Sequence, residues 1–479
     1  MRPGIRSLAL LLISASLLGC AVALGPGFRH PYRLVDVSAN SIEPTHIHVR
    51  VTDKLENIGD RPLAYLDVAL PGGPSFGTKN VSVAVDAKGV LSQRVARQSG
   101  SALRVPFDPP WLQGQEREIG FAYDLEPVPE DRGVVAATSD GFYLADPDVF
   151  PAWQPPMGPF AQAPLRAHTE QLEVSVPADF QVLAAGREQH SERRGEFVVH
   201  HFETPGAEFP PYLIAGRYQE QRAESGQGTV VFWTREALDK ESAQSAAQRL
   251  TATVGTYEDL FGPVARNHFP IHVVETSAEL APIVVVTPNL SATSFPDGVL
   301  FDRRAVALGL TSDPVLDLAD YELARTWFGW HVRPRREADL LLGRGMALFA
   351  ALHAAEARRG TARQQEITRL IATYDDLGPT AEAKTGFGPA VGYSRAELTA
   401  KVYKGGLFLF ALEDIAGEEK FHRAVRRILT DMAGQEVGSH ELRSAVEAEA
   451  GRNLAGVFHA WFDHPGLPAE FRAHYAAAR

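Results

Sequence analysis

The chain is short of the residues that usually announce a protein's chemistry. It has a single cysteine, Cys20, in 479 residues. An intramolecular disulfide is therefore excluded, and stability has to come from packing even in an oxidising compartment. Positive charge is also scarce: 47 Lys+Arg stand against 59 Asp+Glu, a net charge of −12. That balance argues against nucleic acid as a partner. Beyond the first nineteen residues no apolar run approaches membrane-spanning length. There is no phosphate-binding glycine loop, no internal repeat and no low-complexity tract. What remains is a chain long enough for about two or three domains.

The N-terminus carries the first positive signal. Arg2 and Arg6 precede an apolar stretch from Leu8 to Leu18 that is too short to span a bilayer comfortably. This is the layout of a secretory signal. It ends in Leu17-Leu18-Gly19-Cys20, which resembles a bacterial lipobox. The resemblance implies that residues 1–19 are a lipoprotein signal peptide and that Cys20 carries the lipid. The body would then be tethered to a membrane through its acyl chains. Ala21 follows the cysteine where an Asp would favour retention at the inner membrane. By resemblance to proteobacterial lipoproteins, this implies the outer membrane, facing the periplasm. Loss of Arg2 and Arg6 with the leader takes the net charge from −12 to −14.

Residues 20–225 read as a β domain. Period-two stretches recur between turn residues: His46–Val51, Val81–Val85, Gln171–Val176 and Glu196–His200. Such alternation fits half-buried strands in a sandwich. Residues 226–479 form a second unit whose texture turns helical from about residue 240. Helices are expected at 242–261, from Ser312-Asp313-Pro314 onward, at 338–359 with a stop at Gly360, and at about 396–416, 418–434, 438–451 and 453–463. A short β stretch lies between Ile271 and Phe301. Asp before Pro marks a helix start, where a carboxylate caps free amides and proline needs no amide bond.

Three constellations carry less weight. Gly73-Pro74-Ser75-Phe76-Gly77 has the letters of a serine-hydrolase elbow, but a strand rather than a helix follows it, so it reads as a turn. His268 and His272 are four apart, yet Pro270 lies between them, which makes them ordinary loop and strand histidines. His331-Val332-Arg333-Pro334-Arg335-Arg336 is basic and aperiodic and reads as a solvated loop.

The most informative segment is Tyr321-Glu322-Leu323-Ala324-Arg325-Thr326-Trp327-Phe328-Gly329. It resembles the metal helix of the membrane alanyl aminopeptidase family of gluzincin zinc metallopeptidases, whose pattern is H-E-L-A-H-x-W-F-G. Gly343-Arg344-Gly345-Met346-Ala347 resembles that family's N-E-G-F/L-A, and Arg344 lies nineteen positions after Arg325, the family's spacing. Val402-Tyr403 matches the start of V-Y-E-K-G. Pro210-Pro211-Tyr212-Leu213-Ile214-Ala215-Gly216 and the terminal Ala460 to Pro468 resemble two further family stretches. The resemblance implies an α+β fold: an N-terminal β-sandwich domain followed by a thermolysin-like, mainly helical peptidase domain. It also implies residue roles. The three zinc ligands map to Tyr321, Arg325 and Arg344; the general base maps to Glu322, which is retained; the transition-state tyrosine maps to Tyr403. The family's G-x-M-E-N loop falls near residues 290–297, where Asp297 is the nearby acid and no matching Glu occurs.

The substitutions remove the metal chemistry. The family mechanism needs two histidines one helical turn apart and a Glu to hold the zinc. Arginine is permanently protonated and offers no lone pair. At about 4 Å and an effective dielectric of about 20, each guanidinium would repel Zn²⁺ by roughly 8 kcal/mol. That is comparable to the roughly 10–16 kcal/mol of a good structural zinc site. No zinc and no other cofactor is expected at this position. Two Arg and two Tyr around one Glu are expected to form an ion network in its place. That network either holds the helices together or captures a carboxylate such as a peptide C-terminus. The reading is a catalytically inactive, aminopeptidase-like envelope lipoprotein that binds a peptide or protein; the alternative is an active metallopeptidase with a non-standard metal site.

Overall fold

A computed structural model describes residues 29–39, 45–59, 61–71, 77–97, 100–126, 135–144, 150–154, 165–166, 171–204, 212–226, 228–264, 270–276, 290–335, 338–360, 363–377 and 394–476. Cys20, His268, Arg336 and most of the Gly73–Gly77 stretch lie outside the described residues.

Alternating hydrophobicity becomes sheet in the first half. All four period-two stretches fall in one eight-stranded mixed sheet, as Ile47–Glu56, Lys79–Val85, Gln171–Pro177 and Phe197–Glu203. Along Ile47–Glu56 every second residue is buried, because alternate side chains of a strand point to opposite faces. The inward side chains meet those of a five-stranded sheet that includes Leu63–Ala69 and Gly100–Trp111. Val35, Val49 and Val51 from one sheet share a core with Val68, Val105 and Trp111 from the other. A buried ion pair sits inside this core. Arg33 donates to both carboxylate oxygens of Asp53 at 2.6 and 2.7 Å and to the Pro151 carbonyl, while Trp153 Nε1 donates to Asp53 at 2.8 Å. A four-stranded sheet holds Leu213–Gly216 between Gln181–Ala184 and Gly141–Leu144.

The second half centres on a five-stranded sheet in the order Gln219–Ser225, Gly228–Thr234, Ile271–Glu275, Gly298–Phe301, Ala292–Phe295. Helices α1 (Lys240–Phe261) and α2 (Asp313–Ala324) pack against it, and α3 (Met346–Arg359), α4 (Arg363–Asp376), α5 (Arg395–Ala416) and α6 (Glu418–Asp431) pack on these helices and on one another. Their core is distinct from the first, and a small cluster containing Tyr143, Tyr212, Ile214, Trp233, Phe295 and Leu300 lies between the two. Tyr212 OH donates to Asp297 at 2.5 Å across this cluster, so the acid in the 290–297 stretch is engaged inside the protein.

Several expectations need correction. Asp313 is the first residue of α2; Ser312 is the cap, and its side chain makes no capping bond. From Val315 to Ala324 every residue of helix α2 except Asp317 is buried, including Asp320, Tyr321 and Glu322. Residues 339–345 form a π-helical turn ahead of α3, which then ends at Gly360 in the left-handed conformation (φ 64°). The stretch Leu340–Arg359 is apolar and long enough to cross a membrane, and 83 % of its apolar window is buried inside the fold. The basic stretch at 331–335 is clamped. Arg333–Pro334 pairs with Glu436–Val437, and Arg335 forms a bidentate pair with Glu441 at 2.7 and 3.2 Å. Helix α4 and the terminal helix Ala469–Ala476 were not anticipated.

Candidate functional site

Helix α2 is fixed before its functional residues are reached. The Asp320 carboxylate accepts from Thr253 Oγ1 of α1 at 2.7 Å, and the Asp320 carbonyl accepts from Tyr257 OH at 2.8 Å. Arg358 of α3 pairs with Asp317 and Asp320, and Arg359 pairs with Asp317. Burial pushes the Asp320 carboxyl up to about 6, with Arg358 pulling in the opposite sense. The tripeptide after the helix is a packing device. Trp327 meets Tyr257 edge-on at 5.5 Å and donates to the Gly262 carbonyl; Phe328 meets Phe261 edge-on at 5.0 Å. A Cβ on Gly329 would lie 2.9 Å from the Arg325 carbonyl oxygen, so only glycine fits there.

Glu322 lies at the centre of the candidate site and is 1 % exposed. Its Oε2 accepts from the Ser294 amide of the sheet's edge strand at 2.9 Å and from Arg325 Nη1 at 3.3 Å. Arg344, at the end of the π-helical turn, adds a second positive charge to the same carboxylate. Burial still raises the Glu322 pKa, and the two guanidiniums and the Ser294 amide oppose that rise. Tyr321 is buried beside Glu322 on α2, while the Arg325 side chain is 17 % exposed. The turn carrying Arg344 is pressed against α5. A Cβ on Gly345 would come within 3.1 Å of the Gly405 carbonyl carbon and of the Leu340 oxygen.

Tyr403 lies on α5, and Arg369 is its charged neighbour; burial raises its pKa. It lines a cavity together with Leu348, Leu352, Arg359, Arg369 and Leu370, and none of Glu322, Arg325 or Arg344 lines that cavity. His272 is a buried strand histidine whose Nδ1 accepts from Trp233 Nε1 at 2.9 Å.

Whether a zinc ion fits at the three expected ligand positions is decided by the donors. Tyr321 is a neutral phenol, and Arg325 and Arg344 are cations. Arg325 already sits at hydrogen-bond range from the Glu322 oxygen that would otherwise face a metal-bound water. The residues do not fit the metal, and no hydrolytic step can be drawn through it here.

Solved structures of M1 zinc metallopeptidase from Deinococcus radiodurans superpose on nearly the whole molecule. The native form matches with a TM-score of 0.62 at 17 % identity, covering 93 % of this chain and 96 % of that one. A point mutant with bound Tyr-Ser-Ala substrate matches at the same TM-score and coverage. The chain has the M1 metallopeptidase fold. In sequence it is 26 % identical over 181 residues to leucine aminopeptidase 2 of Emericella nidulans, a stretch covering 32 % of this chain. The chain spans about a quarter of the length of that curated relative, 27 %. No protein-family model matches the chain. The M1 fold is thus present at a level of identity where its chemistry has to be judged from the side chains.

A second polar group was not anticipated. His353 on α3, Glu413 on α5 and His422 on α6 bring donor atoms within 4.8 Å of one another, all buried. Arg363 of α4 donates to Glu413 Oε2 at 3.1 Å. Burial pushes the Glu413 carboxyl up, but the two imidazoles and Arg363 outweigh it and hold it at about 2. Sequence offers one faint signal: His353 is a polar residue in the run Phe349-Ala350-Ala351-Leu352-His353-Ala354-Ala355.

Proposed function

We propose that this chain is a catalytically inactive member of the M1 peptidase lineage that binds peptides or a protein partner in the bacterial envelope. One observation carries the reading. Arg325 Nη1 stands 3.3 Å from Glu322 Oε2, so a fixed cation neutralises the carboxylate that would serve as general base. Arg344 supplies a second positive charge, and Arg325 remains partly open to solvent. The surplus charge suits a carboxylate such as a peptide C-terminus, which a guanidinium can bind through two parallel hydrogen bonds. M1 neighbours with this fold include a complex with the substrate Tyr-Ser-Ala and one with L-arginine, so the fold can hold short peptides and amino acids. In this reading the N-terminal half is the family's β-sandwich domain and the second half its thermolysin-like domain. Cys20 is the lipid anchor at the outer membrane, with the body facing the periplasm.

The test is an assay on the mature protein with aminoacyl anilides, with and without added zinc, beside calorimetric titration with acidic peptides. The reading expects no turnover, and peptide binding that is lost in Arg325→Ala and Arg344→Ala. Chelator-sensitive turnover refutes the loss of catalysis. Absence of binding across a peptide series refutes the ligand class. Metabolic palmitate labelling that survives Cys20→Ala refutes the anchor.

A further inference from the structure

The group at His353, Glu413 and His422 has the features of an assembled metal site. His353 Nε2 lies 3.6 Å from Glu413 Oε1, and His422 Nε2 lies 2.9 Å from the same oxygen. A tetrahedral zinc with bonds of about 2.0–2.2 Å separates its donor atoms by about 3.3–3.6 Å; the His353–Glu413 pair has that spacing and the His422–Glu413 pair is shorter. His353 Nε2, Glu413 Oε1 and His422 Nε2 are all buried and make no hydrogen bond of good geometry, although His422 and Glu413 are close enough to pair as ions. The three residues are 6 %, 2 % and 5 % exposed, respectively. Leaving three polar atoms unsatisfied inside a helix bundle is costly. One shared ligand that accepts all three lone pairs removes that cost.

The surroundings complete the arrangement. Glu413 Oε2 is turned away from the group and held by Arg363, which fixes the carboxylate and leaves Oε1 facing the imidazoles. The His353 Nδ1 edge faces Glu356 Oε2 at 4.0 Å and Arg363 Nη2 at 3.4 Å. Arg363 can only donate, so Nδ1 accepts in the metal-free protein and Nε2 carries the ring proton; metal binding at Nε2 shifts that proton to Nδ1, toward Glu356. Arg363 also contacts Glu356 and Glu418, at 3.2 and 3.5 Å. Three carboxylates against one guanidinium leave an excess of two negative charges, which a dication neutralises. Phe349 packs on His353 at 4.6 Å and on Phe410 and Phe421 at 4.6 and 5.5 Å, forming an apolar wall around the group.

We propose that His353, Glu413 and His422 bind a divalent transition metal of the zinc class, and that this metal staples α3, α5 and α6 together. The site is structural. His353 lies nine residues beyond Arg344, roughly 13 Å along the helix at about 1.5 Å per residue, and phenylalanines close it off. Nitrogen and carboxylate donors suit zinc and its Irving–Williams neighbours rather than calcium or magnesium.

The test is titration of chelator-treated mature protein with Co²⁺ and with Zn²⁺, read by visible d–d absorption and by thermal unfolding. About one equivalent of Co²⁺ should give a tetrahedral spectrum, and Zn²⁺ should displace it and raise the Tm. Glu356→Gln, outside the donor set, should weaken binding by about ten- to a hundred-fold. His422→Ala should abolish the spectrum. If His422→Ala fails to fold, Glu413→Gln serves instead, because it keeps the volume and one acceptor. No spectrum and no Tm shift overturns the proposal. So does a spectrum that persists in these variants and disappears in Glu322→Gln, which would assign the metal to the other pocket.

Discussion

Arg325→Met isolates the ion pair at the centre of the proposed function. Glu322 is buried, and its Oε2 is 3.3 Å from Arg325 Nη1. At an effective dielectric of about 20 that separation corresponds to about 5 kcal/mol of direct attraction. Stripping a buried ion of its partner typically costs about 3–5 kcal/mol. Here Arg344 and the Ser294 amide remain, and water reaches the partly exposed guanidinium, so we expect a loss of about 2–3 kcal/mol. The pH dependence gives the sign. The folded-state pKa of Glu322 is already raised, and losing Arg325 raises it further. A carboxyl with a raised folded pKa favours the protonated folded state. Stability is therefore greatest below the unfolded value near 4.5 and falls as pH rises toward the folded value. Differential scanning calorimetry at pH 5 and pH 8 should show the variant's deficit growing with pH. The double variant Glu322→Gln with Arg325→Met should recover most of it, giving a coupling of about 1–3 kcal/mol. A single variant as stable as the parent at both pH values would refute the idea that Arg325 neutralises Glu322.

Other consequences can be checked separately. Glu413 has its folded pKa depressed to about 2, so metal-free protein should lose about 3 kcal/mol as pH falls from about 4.5 to 2, an effect that Glu413→Gln abolishes in acid unfolding curves. Gly345→Ala places a methyl group 3.1 Å from backbone atoms of Gly405 and Leu340, and urea unfolding should report a cost of about 1–3 kcal/mol. The combined change Tyr321→His, Arg325→His and Arg344→Glu rebuilds a zinc donor set on an M1 fold. Isothermal titration should detect a zinc site dependent on those residues, and its absence would mean that the pocket has also lost the metal's volume.

Much of the architecture could be read from local pattern. Period-two alternation found four strands of the eight-stranded sheet, and Gly360 stopped α3 where its left-handed conformation was needed. The gathering of Arg325 and Arg344 about Glu322 was legible because two residues share one helix end and the third is set by the following turn. The orientation of Tyr403 was not. Which way a side chain on a fully buried helix faces depends on its neighbours, and Tyr403 lines the cavity with Arg369. Helix α4 was overlooked although Ile367, Leu370 and Tyr374 repeat at three- and four-residue spacing, because the sequence around them is strongly polar. The His353, Glu413 and His422 group left no spacing to find. Its members come from three helices, and only the packing of α3, α5 and α6 brings them together.

The central claim is that guanidinium groups stand where the metallopeptidase ion would be, leaving Glu322 without hydrolytic work. The most direct test is anomalous diffraction at the zinc edge from crystals of the mature protein grown with zinc. The account predicts no peak beside Glu322, Arg325 and Arg344, and one peak between His353, Glu413 and His422. A tightly bound zinc within coordinating distance of Glu322 would contradict it.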